Sequence, residues 1–231
     1  MNLRQEGRLL RIGHRGAAAL APENTLASIE VAIEYELDLV EIDVVAHADA
    51  LRLAHSSAEV RDESPTLDEA LALVARTDAG VILDLKSRGV ERPAVETLRD
   101  HNLLDRAVVA SFHPASLRAV KEVEPALTTG FSYPFDRAGI SERAAFEPLI
   151  RVGLSGLRRA LPARIAGMLA RAQADALVVH HALVSRTLVD RCHGRDAAVL
   201  AWTIEDDEAL AQVLAAGVDG VIANDPRLLE D

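Results

Sequence analysis

Short apolar runs alternate with longer amphipathic stretches along the whole chain. Runs rich in Val, Ile and Leu at 9–13, 39–44, 81–85, 107–112, 127–131, 176–179, 198–203 and 220–223 read as strands. Helical periodicity fills the intervals at 25–36, 67–75, 94–100, 115–123, 163–172, 184–192 and 208–215. In the first helix Leu26, Ile29 and Ile33 share one face, Glu30 and Glu34 another, and Asn24 is the expected N-cap. Near-continuous apolar strands joined by helices imply a parallel sheet covered on its outer side. Eight of them in 231 residues predict an α/β fold, a single (β/α)8 TIM barrel spanning 1–231, with its site at the C-terminal strand ends. An open doubly wound sheet is the alternative, but its Gly-rich phosphate fingerprint after the first strand is absent. The pattern is least regular between 134 and 161, where a long loop over the barrel mouth is expected.

The polar residues at the strand ends carry the chemistry. The first strand runs into Gly13-His14-Arg15-Gly16, the second holds Glu41-Ile42-Asp43, and the third holds Asp84-Leu85-Lys86. Positions i and i+2 of a strand face the same way, so Glu41 points with Asp43, and Asp84 with Lys86. In a barrel these three strands are neighbours, and their polar ends converge on one corner of the mouth. An isolated Glu-x-Asp reads first as a surface ion-pairing segment, yet Val40, Ile42 and Val44 put this one in a buried strand. Three carboxylates that close repel one another unless a cation holds them. Glu41, Asp43 and Asp84 are therefore the expected ligands of one divalent cation, and an all-oxygen set suits Mg²⁺ or Ca²⁺. Arg15 and Lys86 supply positive charge for a phosphate. His14, together with His55 at the end of the short extended run 51–55, would form an acid–base pair. Taken alone, His14 would be a structural histidine; for Lys86 the competing reading, a strand-end cation keeping its charge in water, is the less expected one. His180 and His181 read as structural, and His47, His101, His113 and His193 as solvated.

Composition narrows the partner. Twenty-five basic against 36 acidic residues give a net charge of −11, which argues against nucleic acid or an anionic membrane as the main partner. The expected partner is a small molecule that carries a phosphate, and the pattern assigns no oligomeric state. The N-terminal apolar run is too short for a signal peptide or a membrane insertion. The one cysteine, Cys192, excludes an intramolecular disulfide, and a cytoplasmic location is expected. Only Lys86 and Lys121 are lysines among the 25 basic residues, which marks Lys86 as a place wanting a compact point charge.

The ordered set His14-Arg15-Gly16, Pro22-Glu23-Asn24-Thr25, Glu41-Ile42-Asp43-Val44, His55, Asp84-Leu85-Lys86, Ser111-Phe112, Ala201-Trp202-Thr203 and Gly217-Val218-Asp219-Gly220 resembles the glycerophosphodiester phosphodiesterase family. The resemblance implies a (β/α)8 barrel that uses a divalent cation to hydrolyse glycerophosphodiesters to glycerol 3-phosphate and an alcohol. It implies His14 and His55 as the acid–base pair, Glu41 and Asp43 as metal ligands, Arg15 as a phosphate contact and Trp202 as a lining of the glycerol pocket. Asp84 stands where the family usually has a Glu, a side chain shorter by roughly 1.5 Å. Ser56 stands where the family has an Asp, and the insertion that usually follows the second histidine is nearly absent. These departures motivate two alternatives: the phospholipase D-type branch of the superfamily, and a non-catalytic barrel that binds phosphate esters.

Overall fold

Strands with Val, Ile or Leu on both faces need cover on both, and a barrel wrapped in helices provides it. The computed structural model describes residues 1–5, 7–134 and 147–230. The chain runs β1 (Leu10–Gly13), α1 (Leu26–Glu34), β2 (Leu39–His47), β3 (Ala50–Leu53), α2 (Leu67–Val74), β4 (Gly80–Leu85), α3 (Glu91–Asp100), β5 (Ala107–Ser111) and α4 (Pro114–Val123). It continues with β6 (Thr128–Tyr133), α5 (Glu147–Ala172), β7 (Ala176–His180), α6 (Arg186–His193), β8 (Ala198–Ile204), α7 (Asp207–Ala216) and β9 (Gly220–Ala223). All strands but β3 are parallel, and β1 pairs with both β2 and β9, which closes an eight-stranded barrel.

The two-residue alternation sorts side chains between two cores. Leu10, Ile12, Leu39, Ile82, Val108, Val178, Leu200 and Ile222 plug the barrel interior. Val40, Ile42, Val44, Val81, Leu83 and Leu85 point outward and pack under the helices. On β1, β2 and β4 the inward positions above Ile12, Leu39 and Ile82 are His14, Glu41 and Asp84, so the interior changes from apolar to charged one step up each strand. Gly16, at φ +87°, lets the turn after β1 press onto α1; a Cβ there would lie 2.4 Å from Ser28 Oγ.

Three local features differ from the sequence expectation. The N-cap of α1 is Thr25, whose hydroxyl accepts from Ser28 N, while Asn24 is buried with φ +55°. Asn tolerates that left-handed conformation, and it turns the carboxamide inward. Next, the expected irregular stretch 134–161 is helical from 147, and α5 runs straight through Pro162. A proline inside a helical pattern reads as a helix start, so the sequence placed the boundary there. The loop expected over the mouth falls mainly on 135–146, outside the described residues. Finally, β2 extends past the barrel rim and β3 folds back on it antiparallel, with Val44 opposite Leu53 and His47 opposite Ala50.

Leu200→Ala, in the interior plug, should cost about 3 kcal/mol by transfer and cavity terms. Leu214→Ala, at an exposed position on α7, should stay within about 0.5 kcal/mol. Urea denaturation of both variants measures the contrast.

Candidate active site

His14, Arg15, Glu41, Asp43, Asp84 and Lys86 form one network at the mouth. Parallel register puts Asp43 directly beside Asp84. Lys86 Nζ lies between them, 2.8 Å from Asp43 Oδ1 and 2.5 Å from Asp84 Oδ2, and 5.2 Å from the centre of the Phe112 ring. Burial opposes its ammonium charge, but Asp84, Asp43 and Glu41 outweigh that and hold the Lys86 pKa above its usual value. Burial likewise opposes the Asp43 charge, yet Lys86 and Arg15 pull its pKa down to about 2. Glu41 goes the other way. Burial and the neighbouring Asp43 charge push its pKa well above the ordinary carboxylate value.

Arg15 is turned into the carboxylates. Its backbone N–H donates to Glu41 Oε2 at 2.8 Å and its Nη1 to Glu23 Oε2 at 2.7 Å. Its Nε lies 3.1 Å from Asp43 Oδ2 without the alignment of a hydrogen bond, so that contact is a charge contact. Two residues that the sequence reading did not assign to the site complete the network. Asn24 donates through Nδ2 to Asp43 Oδ2 at 2.9 Å and accepts from Asp43 N at 3.0 Å. Asn224, just past β9, accepts from His14 Nδ1 at 2.6 Å. The rule that polar residues matter at C-terminal strand ends applies to Asn224 as it does to His14. Nothing in the local pattern distinguishes Asn24 from a helix cap.

With Nδ1 donating, a neutral His14 keeps the lone pair of Nε2. Burial, then the Arg15 charge, lowers its pKa to about 4, so the ring is neutral at physiological pH. His55 reaches the same level through the hairpin, since Ala54 N donates to Asp43 O at 3.3 Å. Its Nδ1 is 4.0 Å from Glu59 Oε1, and Ser56 Oγ donates to the same oxygen at 2.7 Å. A carboxylate thus does stand beside the second histidine, supplied four residues on and held by Ser56. Trp202 stands across the mouth on β8, edge-on to Phe112 at 6.3 Å and to His180 at 5.3 Å, with its Nε1 buried and unpartnered. Three of the histidines expected to be solvated instead pair with carboxylates, as His47–Asp62, His101–Asp68 and His193–Asp219.

One oxygen from each of Glu41, Asp43 and Asp84 lies within 4.8 Å of the others. Asp84 Oδ1 is buried with no hydrogen-bond partner, an open acceptor in a carboxylate cluster. Hard oxygen donors of net negative charge fit a divalent cation. Among the described residues no helix is long and apolar enough to cross a membrane.

The sequence profile of the glycerophosphoryl diester phosphodiesterase family matches residues 14–65 and 65–228. The chain belongs to this family. A glycerophosphodiester phosphodiesterase of Caldanaerobacter subterraneus is 26% identical over 257 residues, covering 95% of this chain and 96% of that protein. The crystal structure of a putative glycerophosphoryl diester phosphodiesterase from Silicibacter pomeroyi superposes with a TM-score of 0.78 at 21% identity, covering 98% of this chain and 94% of that one. An Oleispira antarctica phosphodiesterase, solved with its product sn-glycerol-3-phosphate, gives 0.72 at 23% identity, with 94% of both chains covered. At those identities the two structures speak for the barrel of the glycerophosphoryl diester phosphodiesterases.

Glu41→Gln replaces a carboxyl whose ionised form burial and Asp43 disfavour, so the metal-free variant should melt no lower than the wild type. The Mg²⁺ or Ca²⁺ concentration needed to raise its melting point should increase at least tenfold. Burial and Asp43 favour the protonated form of Glu41, which competes with a cation, so affinity should rise as pH rises. Thermal shift against cation concentration at several pH values reads both effects.

Proposed function

We propose that this chain hydrolyses glycerophosphodiesters to glycerol 3-phosphate and an alcohol, as a cytoplasmic barrel enzyme spanning 1–231, with a divalent cation held by Glu41, Asp43 and Asp84. The observation that carries the reading is a neutral, tautomer-locked His14 at the edge of a carboxylate trio in which Lys86 bridges Asp43 and Asp84. When bound, the cation polarises the phosphate and stabilises charge building on its oxygens. Mg²⁺ and Ca²⁺ both suit the all-oxygen donors.

The protein's own residues do the rest. His14 Nε2 takes the proton of the attacking hydroxyl, because Asn224 holds Nδ1–H and burial keeps the ring neutral. His55 gives a proton to the departing alkoxide, with its ring held beside Glu59. Lys86 neutralises Asp43 and Asp84 and brings a compact positive charge to the phosphate side of the cluster. Arg15 fixes Glu41 and Asp43 and adds a second cation beside the phosphate. Trp202 and Phe112 form the apolar wall for the glycerol carbons. The family profile over nearly the whole chain and the product-bound relative from Oleispira antarctica support the substrate class. The lone buried Cys192 and the net charge of −11 support a cytoplasmic enzyme acting on a small phosphodiester.

Glycerophosphocholine incubated with Mg²⁺, Ca²⁺ or Mn²⁺ should release glycerol 3-phosphate, and EDTA should abolish the release. A folded chain that releases none with any of the metals overturns the reading. His14→Ala should lower kcat about 100- to 10,000-fold. Asn224→Ala should lower it at least about tenfold by freeing the tautomer, with little effect on KM.

A further inference from the structure

An open cleft of about 590 Å³ lies between α5 and α6, lined by Ser155, Arg158 and Arg159 from one side and Ser185, Thr187 and Arg191 from the other. It is built by helical spacing. Positions 155, 158 and 159 share one face of α5, and 187 and 191 share one face of α6. The cleft runs along α6 from Ser185, just before its start, to Arg191 and meets the middle of α5. None of the mouth residues lines it.

Its electrostatics run against the rest of the molecule. Residues 155–195 hold seven arginines and two aspartates, in a chain of net charge −11. Both aspartates are engaged, Asp175 with Lys121 and Asp190 with Arg186. Some arginines elsewhere are tied to carboxylates, as in Arg11–Asp38, Arg99–Glu124 and Arg227–Asp225, and others, such as Arg52 and Arg106, reach only backbone carbonyls. Among the described residues, Arg158, Arg159 and Arg191 have no such partner. Three exposed guanidiniums lining one cleft without carboxylate partners concentrate positive charge there and favour an anion. The start of α6 adds donors. Ser185 Oγ accepts from Leu188 N, while the N–H groups of Arg186 and Thr187 find no acceptor among the described residues. Planar forks, hydroxyls and open helix amides together match the several oxygens of a phosphate.

We propose that the α5–α6 cleft is a second anion site that binds a phosphate group, carried by a soluble phosphomonoester or by a phosphorylated lipid headgroup, separate from the mouth. It depends on cations that take no part in the mouth network. A local basic cleft also qualifies the expectation from net charge, because a headgroup meets the local field within a Debye length of about 10 Å and not the charge of the whole chain.

Nuclear magnetic resonance of the ¹⁵N-labelled chain, titrated with inorganic phosphate, locates binding by residue and so separates this cleft from the mouth. The amides of Arg186 and Thr187 should shift saturably. The triple variant Arg158→Gln, Arg159→Gln, Arg191→Gln should bind there at least tenfold more weakly, with unchanged turnover of glycerophosphocholine and an unchanged melting point. Arg191→Gln alone, the milder change, should weaken binding severalfold if the triple variant melts lower. Absent shifts at Arg186 and Thr187, or equal shifts in wild type and variants, overturn the proposal. Sedimentation with phosphatidylcholine vesicles, with and without phosphatidic acid, separates the sources. Retention that needs both phosphatidic acid and the three arginines assigns a lipid headgroup; phosphate binding without retention assigns a soluble phosphomonoester.

Discussion

Burying Glu41, Asp43 and Asp84 side by side costs desolvation and mutual repulsion, and two cations of the same chain offset both. Like charges about 4 Å apart cost on the order of 4 kcal/mol at an effective dielectric near 20, so the cluster needs compensation. Lys86 meets Asp43 and Asp84 within hydrogen-bonding distance, and Arg15 touches Glu41 through its backbone and Asp43 through its side chain. The compensation is uneven. Asp43 takes most of it and stays ionised, whereas Glu41 retains a raised pKa and Asp84 an unpartnered oxygen. That residual deficit of positive charge suits the cluster to a cation.

The barrel supplies the rigidity this arrangement requires. An apolar plug of Leu10, Ile12, Leu39, Ile82 and Leu200 lies below the charged layer, excludes water and sets the height of each strand end. Parallel pairing then fixes Asp43 beside Asp84 by backbone register, before any side-chain contact is made. Sites built on strands are positioned more tightly than sites on loops, and here Glu41, Asp43 and Asp84 are strand residues, whereas His55 comes from the hairpin beyond the barrel rim. Its β2–β3 hairpin returns the chain to the level of Asp43, and the short Ser56–Glu59 turn brings a carboxylate to the histidine.

Charge is distributed in this protein by sector and not by average. The mouth gathers carboxylates under two cations, while the α5–α6 cleft gathers arginines without carboxylates. A net charge of −11 describes neither place. The long α5 lies behind this contrast, because its helical run through Pro162 aligns Ser155, Arg158 and Arg159 on one face.

Much of the architecture was legible in the residue pattern. Strands of this barrel are apolar on both faces and sharply bounded, so period and length identify them, and the i, i+2 rule places Glu41 with Asp43 and Asp84 with Lys86. The helix over 147–161 was not legible, since Pro162 and the glycines near it are read locally as breakers, whereas packing against neighbours decides. Asn24 shows the same limit at the site. In sequence it has the chemistry of a cap, and only a left-handed backbone turned toward Asp43 makes it a clamp. The sequence by itself determined the barrel pattern and which charged side chains share a strand face, because both follow from local periodicity. Only the tertiary structure decided that Asn224 sets the His14 tautomer, that Glu59 stands by His55, and that arginines of two helices face one cleft. Those pairings join residues whose separation along the chain, or whose turn geometry, carries no periodic signal; closure of the barrel and packing of its helices bring them together.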